Sequence, residues 1–225
     1  MRNSLVFLAA AMTGGTSVLA LVVPFTEKFE SPASNWSIGT AFTAPNYIPT
    51  GGPDGSGYAS RSITFANNNI GDFPILFRGQ SNFNSSGNAF VGNWISGGVT
   101  QLKFSVRHNM DVGVSFFARI APDPATSPNP GGAIALLATP VAANEWTTFT
   151  VDISPLSPFI LEGTTYENVF SAVARLQIGV SIDAATAGKV GPYTFDIDNV
   201  EIVPASGTLS VAGAGLLLAA RRRRR

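Results

Sequence analysis

The stretch YTFDIDNVEIV, residues 193–203, contains the acidic residues whose spacing most strongly suggests chemistry. Phe195 and Ile197 alternate on one face of a predicted strand, but the apolar positions that follow are out of phase with them. The slip falls at Asp198–Asn199, and a slip of this kind indicates a β-bulge, which redirects nearby side chains. We therefore expect the Asp198 carboxylate to point at a specific place in the structure.

Residues suited to catalysis are scarce in this sequence. The single histidine, His108, ends an alternating segment, and we interpret it as a polar residue at the rim of a strand. The chain has no Gly-x-Ser-x-Gly elbow, Walker loop, Rossmann fingerprint or zinc-ligand spacing. Glycoside hydrolysis needs two carboxylates that face each other across a cleft, and only Asp196 and Asp198 alternate on one predicted strand. The sequence therefore predicts a non-enzyme, with a polysaccharide-acting enzyme as the less favoured alternative.

Sugar binding is the other chemistry that the residue types allow. It requires flat aromatic faces next to a few planar polar groups, and the chain has both near its turn-rich segments. The alternative for each tryptophan is packing in the core or at a strand end. We take as candidate ligand-binding residues Trp36, Tyr58, Arg78 and Trp94. Further possibilities are Tyr47, Trp146, Arg61 and Asn88.

The charge of the chain is unevenly distributed, although its formal net charge is zero. Arg2 and Arg221–Arg225 are six of the 14 basic residues, whereas all 14 acidic residues lie between Glu27 and Glu201. Without its two ends the chain would carry 8 basic and 14 acidic residues, a net charge of about −6. An acidic body argues against nucleic acid as a partner. The absence of cysteine excludes disulfides and thiolate metal sites.

The body of the chain has the pattern of short antiparallel strands separated by turns. Three segments alternate between apolar and polar residues, which is typical of strands that cover a core with one face. A fourth, DVGVSFFARIA, is apolar at both sets of positions and predicts a central strand. Turn-rich stretches such as PTGGPDGSG and NSSGN separate these segments. The inward-facing residues that the alternation predicts are Leu102, Phe104, Val106, Phe149, Val151, Ile153, Leu176, Ile178, Val180 and Ile182.

One segment, TTYENVFSAVARL, departs from this pattern. Thr164 and Glu167 have the spacing of a capping box, which predicts a short helix near 165–174. Many short strands joined by long loops indicate an all-β protein, an antiparallel β-sandwich of the jelly-roll type. We expect a single β-sandwich domain over residues 24–203, with hydrophobic helical segments at both ends of the chain.

The body resembles the galactose-binding-like jelly roll, a fold that includes many carbohydrate-binding modules. The resemblance is carried by FTEKFES at the start, then GPDGSGYAS and NAFVGNW, and YTFDIDNVEIV at the end. In such a fold the first and last strands are neighbours, which would bring Glu30 close to Asp198. The resemblance implies a structural calcium ion there, with Glu30, Asp54 and Asp198 among its ligands, since calcium binds carboxylate and backbone carbonyl oxygens. The alternative is that Glu30 and Asp198 are solvated acids at strand ends or accept hydrogen bonds from loop N–H groups.

The N-terminus has the form of a secretory signal peptide. Arg2 supplies a short positive region, an apolar stretch follows, and TSVLA offers small residues before a cut. We therefore assign residues 1–23 to a signal peptide. The alternative is a hydrophobic N-terminal strand or an anchor.

The C-terminal tail, residues 204–225, is an uncharged run followed by five arginines. A helix over the uncharged run would be about 24 Å long, which is marginal for a bilayer core of about 30 Å, and the arginines would keep its end in the cytoplasm. The alternative is a disordered basic tail that binds acidic partners.

The tail resembles the PEP-CTERM sorting signal of Gram-negative bacteria. Val203 and Pro204 match the start of its motif, whereas Ala205 and Ser206 stand where Glu and the second Pro would be. The terminal basic cluster of the signal is matched by Arg221, Arg222, Arg223, Arg224 and Arg225. The resemblance implies an exosortase, a membrane transpeptidase that removes the tail during export. It implies transient anchoring in the inner membrane, followed by release to the cell surface or the extracellular matrix.

Two hypotheses for the function follow from these observations. The first is an exported, non-catalytic module that binds extracellular polysaccharide, and it predicts an exposed row of aromatic residues. The second is a structural matrix or interaction protein that binds no sugar, and it predicts that all three tryptophans are buried.

Overall fold

Eleven strands form two antiparallel sheets in the computed structural model, which describes residues 21–65, 69–125 and 127–205. The six-stranded sheet contains β1 (Phe25–Glu27), β2 (Asn46–Ile48), β3 (Tyr58–Ile63), β5 (Val99–His108), β8 (Thr147–Asp152) and β11 (Tyr193–Pro204). The five-stranded sheet contains β4 (Ile75–Gln80), β6 (Val114–Pro122), β7 (Ala133–Val141), β9 (Ile160–Leu161) and β10 (Val173–Ser181).

The order of the strands is that of a jelly roll. One sheet has the order β2-β3-β11-β5-β8, with β1 also paired to β11, and the other has the order β4-β10-β6-β7-β9. The chain passes repeatedly from one sheet to the other, so strands that are adjacent in sequence often lie on opposite sides of the core. This confirms the predicted all-β sandwich and the pairing of the first strand with the last.

The predicted alternation is confirmed in all three segments. Leu102, Phe104 and Val106 of β5 are fully buried, and the predicted inward residues of β8 and β10 belong to the same core or pack against it. The segment that is apolar at both sets of positions forms β6, which lies between β10 and β7 as expected of a central strand. Hydrophobic burial between the two sheets therefore accounts for the register of these strands.

The helix α1 (Tyr166–Phe170) is shorter than predicted, and its cap lies one residue later. Thr165, not Thr164, is the N-cap, and its hydroxyl accepts a hydrogen bond from the Asn168 backbone N–H at 3.2 Å. The residues after the helix enter β10, where Val173 is buried in the core. Burial of the strand overrides the weak helical pattern of the second half of the predicted segment.

The predicted targeting segments fall mostly beyond the described ranges. Residues 1–20 and 206–225 lie outside them, and with them most of the predicted signal peptide and both predicted hydrophobic helices. The predicted basic cluster of the sorting signal also lies outside the described residues: Arg221, Arg222, Arg223, Arg224 and Arg225. Leu21 and Val23, at the end of the predicted signal peptide, pack against the core. No helix within the described ranges has the length and apolar character that crossing a bilayer requires.

The start of the predicted sorting motif is part of the sandwich. Val203 and Pro204 are the last residues of β11 and pair with Gln101 and Val99 of β5. The final strand therefore extends one residue beyond the predicted domain boundary at 203.

Candidate functional site

A row of planar polar side chains crosses the outer face of the five-stranded sheet. Gln177 on β10 pairs with Arg78 on β4 and with Arg119 on β6. Its neighbours Leu176 and Ile178 are buried in the core, so Gln177 points away from the core. With strands about 4.8 Å apart, the row from Arg78 to Arg119 is about 10 Å long. We call Arg78, Gln177 and Arg119 the polar row.

Hydrogen bonds fix two members of the polar row. Arg119 donates from Nη1 to Gln177 Oε1 at 2.9 Å and from Nε to Glu162 Oε2 at 2.8 Å. Glu162 Oε2 also accepts from the Gly132 backbone N–H at 2.7 Å. Burial opposes ionisation of Glu162, but the hydrogen bonds from Arg119 and Gly132 outweigh it and lower the pKa of its carboxyl group. Arg119 and Glu162 thus form a charged, oriented pair.

The third member, Arg78, is different because its donors are not all used. Its backbone exchanges two hydrogen bonds with Ser37, which fixes the strand, but its buried Nε has no hydrogen-bond partner among the described residues. Burial, and then the positive charge of Arg119, lower the pKa of the Arg78 guanidinium. A buried donor without a partner is unfavourable, and because this Nε is closed to solvent, an acceptor from outside would have to pair with the Nη groups of Arg78.

Apolar side chains lie beside the polar row on the same face. Phe117 on β6 is paired with Gly179 on one side and with Leu136 on the other. A β-carbon at Gly179 would lie 2.6 Å from the Phe117 ring, so glycine is what allows the ring to occupy this position. Phe73 packs edge-to-face on Phe117 and is 41% exposed, and Leu136 is 47% exposed. We call Phe73, Phe117 and Leu136 the apolar row.

Tyr58, a predicted ligand-binding residue, lies on the opposite sheet and belongs to a separate cluster. Its ring contacts Trp146 edge-to-face at 5.4 Å, and the Arg107 guanidinium lies over both rings at 4.9 and 4.7 Å. Arg107 also forms an ion pair with Asp196 at 2.8 Å, and Trp146 donates to the Gly51 carbonyl oxygen at 2.9 Å. Tyr58 and Arg78, both predicted ligand-binding residues, therefore lie on different sheets and do not share a surface.

Trp36 and Trp94, predicted to bind a ligand, cannot stack on one from the surface, because both side chains are 0% exposed. The prediction is wrong in that respect. Trp36 donates from its ring nitrogen to Ser86 Oγ, and Trp94 donates to the Phe90 carbonyl oxygen. Buried tryptophans with satisfied N–H groups have a packing role. The sequence signal that misled the prediction was their position next to loops, which says nothing about the direction of the ring.

His108 is not at the rim of its strand, as predicted, but in the core. It is 1% exposed, between Phe116 and Phe195, and its Nε2 lies 2.9 Å from the Val141 carbonyl oxygen. Burial lowers the pKa of this histidine, and the contact with Val141 opposes the shift. His108 is therefore a neutral core residue at neutral pH.

Asp198 is placed by a β-bulge, as the sequence predicted. The register of β11 against β5 shifts between Asp198 and Glu201, and Asn199 has a positive φ of 49°. Asp198 is fully buried, and it accepts hydrogen bonds from the Asn199 N–H at 2.7 Å and from Ser56 Oγ at 3.1 Å. A β-carbon at Gly52 would lie 2.7 Å from its Oδ2, so glycine allows the loop to approach this closely.

The predicted set of metal ligands does not assemble around Asp198. The described residues contain no group of three or more Asp, Glu or His side chains that could hold a metal ion. Glu30 is exposed, and Asp54 is an exposed loop residue that pairs with Lys28 at 3.5 Å. Burial raises the pKa of Asp198 to about 6, and the charges of Asp54 and Glu30 add to that shift. What remains of the predicted calcium site is one buried carboxylate beside a glycine-rich loop.

Comparison with known proteins concerns the fold and nothing finer. The chain matches no family model and no curated protein. The solved CBM22-1–GH10 modules of Clostridium thermocellum endo-1,4-β-D-xylanase 10B, complexed with xylohexaose, are 18% identical over 83% of this chain and 29% of that one, with a TM-score of 0.46. An exo-β-agarase is 13% identical over 80% of this chain and 24% of that one, with a TM-score of 0.49.

A family 11 carbohydrate-binding module from Clostridium thermocellum, in complex with a β-1,3-1,4-mixed-linked tetrasaccharide, is matched over a larger share of its own length. It is 11% identical over 81% of this chain and 96% of that one, with a TM-score of 0.47. This chain therefore spans less than a third of the xylanase and agarase chains but nearly the whole of this module.

The raised pKa of Asp198 makes the stability of the metal-free protein depend on pH. Because the folded protein holds this proton more tightly than the unfolded chain, stability decreases as the pH rises from about 4 through about 6. A shift of about two pKa units corresponds to about 3 kcal/mol. In a chelator at pH 7.5 we expect Asp198→Asn to unfold at higher denaturant concentration than the unmodified protein, and the difference to disappear near pH 4.

Urea unfolding at several pH values would measure this effect. Glu145→Gln is the control, because Glu145 is an exposed carboxylate and its substitution should change stability little at any pH. Equal destabilisation by Asp198→Asn at pH 4 and pH 7.5 would contradict the prediction.

Proposed function

We propose that this protein is an exported, non-catalytic module that binds a carbohydrate on the outer face of its five-stranded sheet. The observation that carries the proposal is the polar row lying beside the apolar row. The partly exposed guanidinium groups of Arg78 and Arg119 can orient sugar hydroxyls by paired hydrogen bonds, and the exposed Phe73 and Leu136 can contact the face of a sugar ring. Gln177 and Phe117 are buried beneath them and hold the two rows in place. Arg78 is partly exposed and forms no ion pair among the described residues, so its guanidinium can pair with an external acceptor.

The cluster of Tyr58, Arg107 and Trp146 is the less favourable surface for a sugar. The guanidinium of Arg107 already lies over both aromatic rings, and its own charge is paired with Asp196. A sugar ring stacking there would have to displace a charge that is well bound. We therefore assign this cluster to holding the glycine-rich loop, through the hydrogen bond from Trp146 to Gly51.

Removing the exposed ring of Phe73 should weaken glycan binding, because the apolar row loses the part that a sugar can reach. We expect Phe73→Ala to lower affinity at least tenfold, about 1.4 kcal/mol, in a glycan array followed by calorimetry on the full-length chain in mild detergent. Trp146→Ala, which removes an aromatic ring from the opposite sheet, should bind within twofold of the unmodified protein. The reverse pattern would move the site to the six-stranded sheet.

A structural matrix protein without sugar binding is the second candidate function. The burial of Trp36 and Trp94 favours it, since that hypothesis requires buried tryptophans, although Trp146 is only partly buried. A folded chain that binds no glycan on a broad array would support this candidate and contradict the first.

We also propose a structural calcium ion at Asp198, with backbone carbonyls of the glycine-rich loop as further ligands. The support is a fully buried carboxylate that forms no ion pair within the described ranges, next to a loop that approaches it at Gly52. Calcium would then offset the repulsion from Asp54 and Glu30.

Calcium bound at this place should raise the melting temperature at neutral pH, because ligand binding to the folded state stabilises it. We expect a chelator to reverse the increase and Asp198→Asn to abolish it, as differential scanning calorimetry would measure. A melting temperature that is the same with calcium and with chelator would remove this proposal and leave the glycan site untouched.

Export and sorting complete the proposal. We propose that the signal peptide (1–23) directs secretion and that an exosortase-like enzyme removes the tail (204–225), after transient anchoring in the inner membrane. The supports are the sequence patterns of the two ends. Mass spectrometry of the protein recovered from the extracellular matrix of the producing cell should find neither end, and an intact chain there would contradict the processing.

A further inference from the structure

Half of the basic residues of the body meet at one sheet, three of them on its own strands and Arg61 reaching it from β3 of the other sheet. Only eight of the 14 basic residues remain between positions 24 and 203, against 14 acidic ones. Four of the eight lie on or against the five-stranded sheet: Arg61, Arg78, Arg119 and Arg175. In a body with an excess of acidic residues, such a concentration gives this face a local charge opposite to that of the molecule.

The four guanidinium groups are close enough to repel one another. Burial and then the charge of Arg78 lower the pKa of Arg61, whose Nη1 donates to the carbonyl oxygens at the start of β4. Burial and then the charge of Arg119 lower the pKa of both Arg78 and Arg175. Burial and the neighbouring positive charges thus both disfavour the charged forms of Arg61, Arg78 and Arg175.

The carboxylates near these groups compensate only part of this charge. Glu162 forms an ion pair with Arg119. The negative charges of Asp123 and Glu162 also raise the pKa of Arg175, which opposes the lowering by the nearby arginines. Arg175 itself donates to two backbone carbonyl oxygens, those of Pro122 and Pro130. Neither Arg78 nor Arg61 has a carboxylate partner in the part of the chain that the structure describes, and the buried Nε of each is unpaired. Arg61 Nη1, however, donates to two carbonyl oxygens of β4, whereas the Arg78 side chain forms no hydrogen bond among those residues. The uncompensated charge therefore lies at the Arg78 end of the polar row.

We propose that this face selects an acidic glycan, a polymer of uronic acid residues, and that a ligand carboxylate pairs with Arg78. The inference rests on the proposed function and names the chemical class of its ligand. A guanidinium binds a carboxylate through two parallel hydrogen bonds, and such charge-assisted bonds are about twice as strong as neutral ones. The bound carboxylate pairs with the Nη groups of Arg78 and offsets the repulsion among the arginines, while the exposed Phe73 and Leu136 contact the sugar ring.

Polygalacturonate and its methyl ester test the proposal, because they share one backbone and differ in charge. With the full-length chain in mild detergent, we expect affinity electrophoresis to show binding to polygalacturonate at least tenfold stronger than to the fully esterified polymer. Arg78→Gln should lose about tenfold in affinity for the acid and change little for the ester. Arg78→Lys keeps the charge but not the paired geometry, so its affinity for the acid should lie between those of the unmodified chain and Arg78→Gln.

Lys103→Gln is the matched control for charge. Lys103 lies on β5 in the six-stranded sheet, so its substitution removes one positive charge from the molecule without touching the site. Its affinity for polygalacturonate should equal that of the unmodified chain. An equal loss in Lys103→Gln and Arg78→Gln would show a general charge effect and would overturn the assignment to Arg78.

The outcomes separate this inference from the proposed function. Equal affinity for the acid and the ester, or binding of neutral glycans alone, would overturn the acidic preference and leave carbohydrate binding in place. Binding to no glycan at all would end both. Binding of RNA as tight as that of polygalacturonate would overturn a glycan-specific site. If Arg78→Gln fails to fold, the comparison of acid with ester and the Arg78→Lys variant still decide the question.

Discussion

The pairing of β10 with β4 and β6 is the constraint on which the candidate site depends. It places Gln177 between Arg78 and Arg119, and two residues further along β10 it places Gly179 beside Phe117. Slipping β10 by one residue would turn its core residues outward and bury the polar row, so the hydrophobic core itself holds the site in register. The surface chemistry of this sheet is thus a consequence of what the core must bury.

The alternating segments could be predicted from the sequence because alternation reports burial directly. Leu102, Phe104 and Val106 could be assigned inward without knowing which strands were their neighbours. The bulge at Asp198–Asn199 was also visible, since a bulge changes the phase of the alternation. The end of α1 could not be predicted from the sequence, because it depends on whether the following residues enter a sheet. Pairing with distant strands decides that.

The candidate site was harder to predict, since it depends on which side chains meet across strands. The planar group of Arg78 makes it a candidate, but nothing in its own segment indicates Gln177 or Arg119, which lie about 100 and 41 positions away. The rings of Trp36 and Trp94 make them candidates as well, but the direction of a ring is determined by packing that a local sequence pattern does not contain. Gly179 offered the clearest missed signal, because a glycine inside an apolar strand indicates close approach of another group.

The two outer faces of the sandwich contain similar residue types and differ in how fully their charges are matched. On the six-stranded sheet, the Arg107 guanidinium lies over Tyr58 and Trp146 and is neutralised by Asp196, so this cation is paired within the protein, although Asp196 Oδ1 has no hydrogen-bond partner among the described residues. On the five-stranded sheet, Glu162 neutralises Arg119, and Arg78 is left with a buried donor that has no acceptor among the described residues. Burying an unmatched polar group costs stability that the fold recovers only when a partner arrives. That difference, more than the number of aromatic rings, is the physical reason to look for a ligand on the five-stranded sheet.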